Sequence, residues 1–348
     1  MADCTYVIPT YNRIGCLARH LRYLKRQNWK APILIADSSL PEKVRENAAI
    51  IKEFKDALDI SHLVLSDRTA VYTKLGKALQ EVRTPFVALC ADDDFLVPSA
   101  IEAATLFLRD HSDYSAACGR TVVFFPDSEK LHIAPRRSIT QDDPAERLTE
   151  LLRDFMGILW GIYRTPDCIA AISGAEAHAT QSFEGGMAYR FPELYAGCIL
   201  ALRGKIVMIP RLLSVRETPG THELYPNRIY GWPAIFVHKG FSNEYERFRV
   251  GLSEVLSEKS ELPLPEAAHA IDAAFLLFMR NVLHRRRSTR EKLRDIFDTQ
   301  WFRILLRAQT PQEYFVYELK APLRALRRFF SEDWRQLRII RSMHTSDN

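Results

Sequence analysis

Short apolar runs alternate with longer segments of helical periodicity along the N-terminal part of the chain. The runs predict buried strands, because continuous apolar stretches of this length are typical of strands covered on both faces. These strands span residues 4–9, 33–36, 62–65 and 86–90. After each strand, apolar side chains recur every three or four positions, as at Ile14, Leu17 and Leu21, which predicts a helix. The alternation predicts an α/β fold with a mostly parallel, Rossmann-like sheet flanked by helices.

Polar residues follow these strands at their carboxyl ends. They comprise the loop 10–13, Asp37, Asp67 and the triplet of Asp92, Asp93 and Asp94. Parallel strands end at one edge of a sheet, and ligands of open α/β sheets bind beyond that edge. The sequence therefore predicts a ligand site where these polar residues converge.

The acidic triplet follows the fourth strand directly. Like charges repel one another, so three carboxylates at the end of a buried strand favour a bound cation. The alternative is a solvated turn in which an aspartate caps the helix that Pro98 opens. The strand before the triplet and the polar strand ends around it favour the cation site.

The later part of the chain carries a second set of predicted elements. A helix follows over 99–110, and Pro144 opens another. Short strands are predicted at 114–118, 121–125, 131–134, 158–163, 205–209 and 212–215. From about residue 231 the pattern predicts helices only. We therefore divide the chain into an α/β domain over 1–230 and a helical, basic C-terminal domain or extension over 231–348.

The composition is typical of a globular protein in a reducing compartment. The chain has 348 residues, of which 47% are hydrophobic and 26% charged, enough for one large domain or two ordinary ones. Its six cysteines form no Cys-x-x-Cys pair and several lie in apolar runs, so we expect reduced thiols. No basic-then-apolar leader and no apolar stretch of membrane-spanning length is evident. These features predict a cytoplasmic protein.

Two motifs together carry a resemblance to a known family. The first strand leads into Pro-Thr-Tyr-Asn-Arg at 9–13, and Thr-Pro-Phe-Val at 84–87 leads into the triplet, with Asp-Ser-Ser at 37–39 between them. In this pattern residues 1–220 resemble the family 2 nucleotide-sugar glycosyltransferases of the GT-A fold. The resemblance implies a nucleoside-diphosphate sugar as donor and Mg²⁺ or Mn²⁺ as cofactor. The acceptor would be a hydroxyl of a glycan, a lipid-linked sugar or a protein.

The resemblance also implies roles for individual residues. Expected donor contacts are Pro9, Thr10, Tyr11 and Arg13 around the base and ribose, Asp37 at the base, and Lys74 or Lys77 near the ribose or phosphates. Asp92 and Asp94 are expected to hold the cation that bridges the diphosphate, with Asp93 beside them at the donor. Such a cation stabilises the leaving nucleoside diphosphate, because hard divalent ions prefer oxygen ligands.

Inverting transfer also needs a general base for the acceptor hydroxyl. Glu193 precedes an apolar helix and a strand in the manner of the family, so we prefer it to Glu184. The family often has Glu-Asp where this chain has Glu-Leu, which leaves the choice open. Glu193 has a second interpretation as a first-turn glutamate that interacts with the helix dipole. Asp94, through the cation, and Glu193 are the expected catalytic residues.

Two residues further along complete the expected site. Arg216 is suited to bidentate contact with the diphosphate. His222 would reach back to the metal or the diphosphate, although a loop histidine is more often a surface residue. Trp160 and Tyr163 would stack on an acceptor sugar or belong to the aromatic core.

Two other functions are compatible with such a fold. A sugar nucleotidyltransferase would favour a glycine-rich loop after the first strand, and residues 9–13 contain no glycine. A non-catalytic protein that binds a nucleotide sugar or serves as an assembly module would be favoured if neither Glu184 nor Glu193 faced the metal site.

The C-terminal third is rich in arginine and matches no catalytic pattern. The net charge is +5, and basic residues concentrate after Arg280. Over 319–340 apolar and aromatic side chains interleave with arginines, which predicts a basic amphipathic helix. Such a helix suits an anionic membrane surface, here the inner face of the membrane, and equally suits packing against the catalytic domain or a second copy in a homo-oligomer. Nucleic acid is not an expected partner, because no recognised binding module accompanies the arginines.

Overall fold

The structure is a computed structural model, and it describes residues 3–125, 130–134, 137–155, 157–178, 190–217 and 232–284, together with 335–337, 339–340 and 342–343. The described strands are β1 (Cys4–Thr10), β2 (Ile33–Asp37), β3 (Ile60–Val64), β4 (Phe86–Leu89), β5 (Phe95–Leu96), β6 (Tyr114–Phe125), β7 (Lys130–Ala134), β8 (Ile162–Arg164) and β9 (Lys205–Glu217). The described helices are α1 (Ile14–Arg26), α2 (Pro41–Phe54), α3 (Val71–Glu81), α4 (Pro98–Asp110), α5 (Pro144–Arg153), α6 (Thr165–His178), α7 (Arg190–Arg203), α8 (Trp232–Phe236), α9 (Phe241–Ser260) and α10 (Leu264–His284).

These strands form one mixed sheet. Its order is β3–β2–β1–β4–β8–β6–β9–β5, and β7 pairs with β6 beside this path. β1 is parallel to β2 and β4, β2 to β3, and β6 to β9, whereas β8 runs antiparallel to β4 and β6. The predicted α/β fold with a mostly parallel sheet and flanking helices is confirmed.

Two long strands replace four of the predicted short ones. The strands predicted at 114–118 and 121–125 are one strand, β6, and those predicted at 205–209 and 212–215 are one strand, β9. β6 and β9 stay paired through register shifts on both sides of Arg120. Gly119 permits this close approach, because a Cβ at that position would lie 2.4 Å from the Cβ of Leu213. The residues between the predicted short strands therefore form a bulge in a continuous ladder.

Alternate residues of the strands face opposite sides of the sheet. In β1, Val7 faces a cluster formed with α3, α5, α6 and α7, whereas Tyr6 and Ile8 face a cluster formed with α1, α2 and α4. The second cluster also contains Leu337 and Ile340 from the C-terminal stretch. Helices thus cover both faces of the sheet, as its continuous apolar strands predict.

The helices after residue 231 share the core of the α/β part. The ring centroid of Phe191 in α7 lies 5.8 Å from that of Phe248 in α9 and 6.3 Å from that of Phe275 in α10, and all three rings are buried. Among the described residues no single helix is long and apolar enough to cross a membrane. α9 and α10 reach that length and composition only as a pair, which bends by 117° at its break.

A buried ionisable pair joins α6 to α9. His178 Nδ1 lies 3.4 Å from Glu244 Oε2, and Arg247 Nη1 lies 3.3 Å from Glu244 Oε1. The ring of Tyr195, in α7, lies 4.4 Å from the imidazole between centroids. Burial lowers the pKa of His178, and its hydrogen bond to Glu244 offsets this only in part.

We expect His178→Gln to reduce the sensitivity of the fold to acid. The pKa of His178 is lowered in the folded state, so below its ordinary value of 6.5 the unfolded chain binds a proton that the folded protein does not. The free energy of unfolding therefore decreases as the pH is lowered through that range. Glutamine does not titrate, so the variant lacks this pH dependence. Urea unfolding at neutral and mildly acidic pH should show a smaller loss of unfolding free energy in the variant. Equal losses in the two proteins would contradict the prediction.

Candidate active site

The acidic triplet lies at the carboxyl end of β4, beside the end of β1. The two strands are parallel neighbours, and Cys90 N donates a hydrogen bond to Val7 O at 3.1 Å. Just beyond, Thr10 Oγ1 donates to Asp92 Oδ2 at 2.7 Å. The structure thus brings together two of the strand ends that the sequence marked as polar.

Arg13, the N-cap residue of α1, holds two carboxylates of the triplet. Its Nη2 lies 2.5 Å from Asp92 Oδ1, and its Nη1 lies 2.5 Å from Asp93 Oδ2. The side chain of Asp92 is fully buried, whereas that of Arg13 is 28% exposed. Burial lowers the pKa of Arg13, but the charges of Asp92 and Asp93 outweigh burial and hold this pKa above its ordinary value. The guanidinium therefore remains charged.

Asp94 is held from the opposite side by β9. β5 follows the triplet directly and pairs antiparallel with β9, which carries Arg216 and Glu217 to Asp94. Arg216 Nε donates to Asp94 Oδ2 at 3.2 Å, and Glu217 N donates to Asp94 Oδ1 at 3.1 Å. α4 begins at Pro98 without a side-chain cap. This excludes the alternative in which an aspartate of the triplet caps that helix.

Burial makes two carboxylates of the triplet difficult to ionise. It raises the pKa of Asp92 to about 6 and that of Asp94 to about 7, and the charge of Asp93 adds to both shifts. Arg13 lowers the pKa of Asp92, and Arg216 lowers that of Asp94, but each offsets burial only in part. Carboxylates in this setting are strongly stabilised in their charged form by a further cation.

The oxygen atoms of the triplet fit a divalent cation that arrives with phosphate ligands. Asp92 Oδ1 is buried and is contacted by Arg13 in an ion pair that lacks the alignment of a hydrogen bond. Carboxylate oxygens are the ligands that Mg²⁺ and Mn²⁺ prefer. In the part of the chain that the structure describes, no three or more His, Cys, Asp and Glu side chains are grouped to hold a metal ion. Mg²⁺ is usually held by one or two carboxylates together with substrate phosphates, so the triplet fits that kind of site.

Asp37 lies at the end of β2 in a polar network of its own. Its Oδ1 accepts from Ser39 N at 2.9 Å, and its Oδ2 lies 2.9 Å from Asn47 Nδ2 and 3.1 Å from His62 Nε2. Burial raises the pKa of Asp37, but the hydrogen bonds from His62, Ser39 and Asn47 outweigh burial and lower it to about 2. The carboxylate is wholly buried. We expected Asp37 to contact a nucleotide base, whereas here both of its oxygens already have partners within the chain.

The loop after β1 is fixed to the loop after β2 through Asn12. This residue has a positive φ of 54°, which asparagine tolerates better than most residues. Its backbone N–H donates to Ser39 Oγ at 2.8 Å, and its side-chain Oδ1 accepts from Leu40 N at 2.9 Å. These contacts set the position of Arg13, the next residue.

Lys74 supports the same loop from α3. Its Nζ donates to Thr10 O at 2.6 Å and lies 5.9 Å from the ring centroid of Tyr11. Burial lowers the pKa of Lys74 to about 8. Lys77, the alternative from the sequence, is exposed, and Pro9 is buried within β1. Of the two lysines, Lys74 is therefore the one in contact with the loop.

Glu193 lies in the first turn of α7, half-buried and within electrostatic range of Arg216. Burial lowers the pKa of Arg216, but the charges of Asp94 and Glu193 raise it above its ordinary value. Gly157 leaves room for the glutamate, because a Cβ at that position would lie 2.5 Å from Glu193 Oε1. Glu193 also lines a small pocket with Leu89, the last residue of β4. The glutamate is thus close to the end of the strand that carries the triplet.

Comparison with known proteins identifies the N-terminal half of the chain. Residues 5–173 match the profile of the family described as Glycosyl transferase family 2. The chain carries a glycosyl transferase family 2 domain. The match runs from β1 into α6 and includes the triplet, Arg13 and Asp37, whereas Glu193 and Arg216 lie beyond it. The predicted family and enzyme class, a glycosyltransferase, are confirmed. A comparison with curated protein sequences found no match.

The fold of this glycosyltransferase is similar to that of S. aureus TarS. The crystal structure of TarS 1-349 matches with a TM-score of 0.52 and 12% identity, over 87% of this chain and 79% of the TarS chain. The crystal structure of TarS 1-349 in complex with UDP also gives 0.52 and 12%, over 84% of this chain and 75% of the other. At this identity the likeness shows a shared fold.

Several contacts in the glycosyltransferase site were not predicted from its sequence. Arg19 pairs with Glu217 at 2.5 Å beside the triplet, and Asn47 and His62 hold Asp37. Glu217 follows Arg216, a predicted site residue, at the end of an apolar strand, and this position could have marked it as a further site residue. No signal of that kind marks Asn47, which lies within α2 and joins Asp37 only through the packing of that helix.

Two predicted site residues, Glu184 and His222, lie outside the described residues. Of the two candidate acceptor aromatics, Tyr163 is buried in the core and its hydroxyl donates to Ile158 O. Trp160 is half-buried and packs against the same core. Tyr163 therefore belongs to the aromatic core, the second of its two interpretations.

Proposed function

We propose that this glycosyltransferase is an inverting, metal-dependent enzyme. It moves a sugar from a nucleoside-diphosphate sugar to a hydroxyl of a glycan, a lipid-linked sugar or a protein. The observation that carries the proposal is the triplet, with Asp92 and Asp94 buried, which Arg13 and Arg216 hold at the carboxyl edge of the sheet. Carboxylates and a diphosphate repel unless cations lie between them, and this site supplies cations on two sides.

The nucleotide of the donor is proposed to lie over the ends of β1 and β2. Thr10, Tyr11 and Arg13 would line the base and ribose, with Pro9 and Lys74 behind them. Asp37 would act at the base by orienting His62, whose side chain is 13% exposed. TarS has been crystallised in complex with UDP, so UDP is the first nucleotide to test.

Asp92 and Asp94 would hold Mg²⁺ or Mn²⁺ together with the donor diphosphate, and His222 is a proposed further ligand. A bound divalent ion supplies Lewis-acid stabilisation of the leaving nucleoside diphosphate. Arg216 would bind the same phosphates through its planar guanidinium, which matches two phosphate oxygens at once. Asp93 would orient Arg13 toward the donor.

Glu193 is proposed to accept the proton of the attacking hydroxyl. Its first-turn position on α7 and its proximity to Arg216 support this role. One base that activates one acceptor leads to a single displacement at the anomeric carbon, and a single displacement inverts its configuration. Glu184 is the alternative base.

The remaining proposals concern the organisation of the chain. We propose a catalytic domain over 1–230 and a helical extension over 231–348, in a cytoplasmic protein. The basic segment 319–340 lies mostly outside the described residues, and its Leu337 and Ile340 pack in the cluster formed with α1, α2 and α4. We propose that the rest of the segment continues along the catalytic domain or contacts an anionic membrane surface or a second copy of the chain. Its arginine and aromatic composition supports either contact.

A thermal-shift screen tests the proposed donor site. UDP, GDP, CDP and dTDP would each be added with and without Mn²⁺. A ligand that binds the folded state raises its stability by about 2.7 kcal/mol at a hundred times its Kd. We expect one nucleotide to raise the melting temperature, and to do so more strongly with Mn²⁺.

The outcomes of this screen separate the competing functions. A rise in melting temperature that is equal with and without Mn²⁺ would contradict the metal dependence but would still support the nucleotide site. No shift with any nucleotide would favour the assembly module. Release of nucleoside diphosphate from the matching nucleotide sugar, with inverted configuration in the sugar product, would then support transfer over nucleotidyl chemistry.

A further inference from the structure

Arg13 contacts Asp92, one of the two carboxylates proposed to hold a metal, and joins it to Asp93. One terminal nitrogen of its guanidinium lies 2.5 Å from Asp92 Oδ1, and the other lies 2.5 Å from Asp93 Oδ2. Asp92 Oδ1 is buried, and its contact with Arg13 is an ion pair that lacks the alignment of a hydrogen bond. A divalent ion bound through this oxygen would meet the guanidinium at close range, where like charges repel strongly. Arg13 and the metal therefore compete for Asp92 Oδ1.

The side chain of Arg13 has room for a second position, away from the carboxylates. It is 28% exposed, so part of the side chain already borders solvent. Its backbone is fixed at the start of α1, directly after the loop that Asn12 anchors to Ser39 and Leu40. A guanidinium that leaves the carboxylates would move from the ribose side of the proposed donor site to the adjoining diphosphate, and arginine binds phosphates bidentately.

The other cations near the triplet are not equivalent to Arg13. Lys74 is buried and its Nζ donates to Thr10 O. Arg19 is paired with Glu217 at 2.5 Å. Arg216 contacts Asp94 and, in the part of the chain that the structure describes, forms no ion pair with Asp92 or Asp93.

We propose that Arg13 is an exchangeable counter-cation of the triplet. It neutralises Asp92 and Asp93 when no metal is bound, and it moves to the donor diphosphate when a divalent ion held by Asp92 and Asp94 takes Asp92 Oδ1. This inference rests on the proposed metal dependence and adds a consequence to it. Metal and nucleotide should bind cooperatively, because each favours the same displaced position of Arg13, and such coupling is reciprocal.

Direct measurement of Mn²⁺ binding tests the exchange. Free Mn²⁺ would be followed by electron paramagnetic resonance with and without UDP, at mildly alkaline pH to limit proton competition for the carboxylates. The proteins would be wild type, Arg13→Gln, Arg13→Lys and Arg22→Gln, the last an exposed arginine on the same helix.

Without UDP, we expect Arg13→Gln to bind Mn²⁺ about tenfold or more tightly than wild type, because a positive charge near the ion has been removed. The factor by which UDP tightens Mn²⁺ binding should fall by a similar amount, which loss of structure alone would not produce. Arg13→Lys keeps the charge but lacks the fork that spans two carboxylates, so intermediate values are expected. Arg22→Gln should match wild type.

The results separate this inference from the proposed function. If Arg13→Gln binds Mn²⁺ like wild type and keeps the full effect of UDP, the exchange is wrong while the metal site stands. If Arg13→Gln does not fold, Arg13→Lys is used instead. Wild-type Mn²⁺ binding with the full effect of UDP in Arg13→Lys would then contradict the exchange. If wild type binds no Mn²⁺ even with UDP, the proposed metal dependence fails and the exchange fails with it.

Discussion

Replacing Glu193 by glutamine is expected to lower turnover by about 10²–10⁴-fold, the usual contribution of a general base, while donor affinity is unchanged. Glutamine keeps the shape and polarity of the side chain but cannot accept the acceptor proton. Gly157 leaves the same room for either side chain, so the pocket should not rearrange. The measurements are the rate of sugar transfer and the Kd of the donor nucleotide.

A matched control distinguishes the loss of a catalytic base from the loss of a negative charge at the start of a helix. Glu266 lies in the first turn of α10 and is exposed, so Glu266→Gln removes the same charge from an equivalent helix position. We expect this variant to transfer sugar at the wild-type rate. Loss of donor binding in Glu193→Gln would assign the glutamate to the donor site, and full transfer would move the base to another residue, with Glu184 the first to test.

Replacing Asp94 by alanine is expected to lower transfer by about 10³-fold, since a catalytic metal contributes several kcal/mol to the transition state. The protein should stay folded. The removed carboxyl is one that burial makes hard to ionise, and its partner Arg216 has a side chain 43% exposed, which water can solvate. The assays are transfer from the nucleotide sugar and the Mn²⁺-dependent part of the thermal shift with the nucleotide.

The control for this variant is Asp110→Ala, which removes an exposed aspartate at the end of α4. Its transfer rate and its Mn²⁺-dependent shift should equal those of wild type. Asp94→Ala with wild-type activity would refute the metal site. A variant that loses transfer but keeps the whole Mn²⁺-dependent shift would show that Asp94 acts without holding the ion.

Local patterns in the sequence were sufficient to locate the triplet and its neighbours. The apolar run of β4 ends at Leu89 and the charges begin three residues later, so the strand end was visible without a partner strand. Thr10 follows the first apolar run in the same way. Parallel pairing then requires the two ends to be neighbours, and the hydrogen bond from Thr10 to Asp92 follows from that pairing.

Local sequence patterns could not predict the contacts that depend on long-range packing. The sequence separates Asp94 from Arg216 and Glu217 by more than half the catalytic region, and only the antiparallel pairing of β5 with β9 joins them. β5 has two residues, too few for any periodicity to be detected. The hydrogen bonds of Asp37 with Asn47 and His62 could likewise not be predicted, because they require α2 and β3 to be placed around β2.

The aromatic contacts of Phe191 have a consequence for how this enzyme can diverge. Phe191 lies two residues before Glu193, and its ring touches rings from both α9 and α10. The helices after residue 231 therefore help to position α7, the helix that carries the proposed base. Exchange of this segment between related enzymes would transmit each mismatch in ring size to the glutamate, so the segment and α7 are expected to change together during evolution.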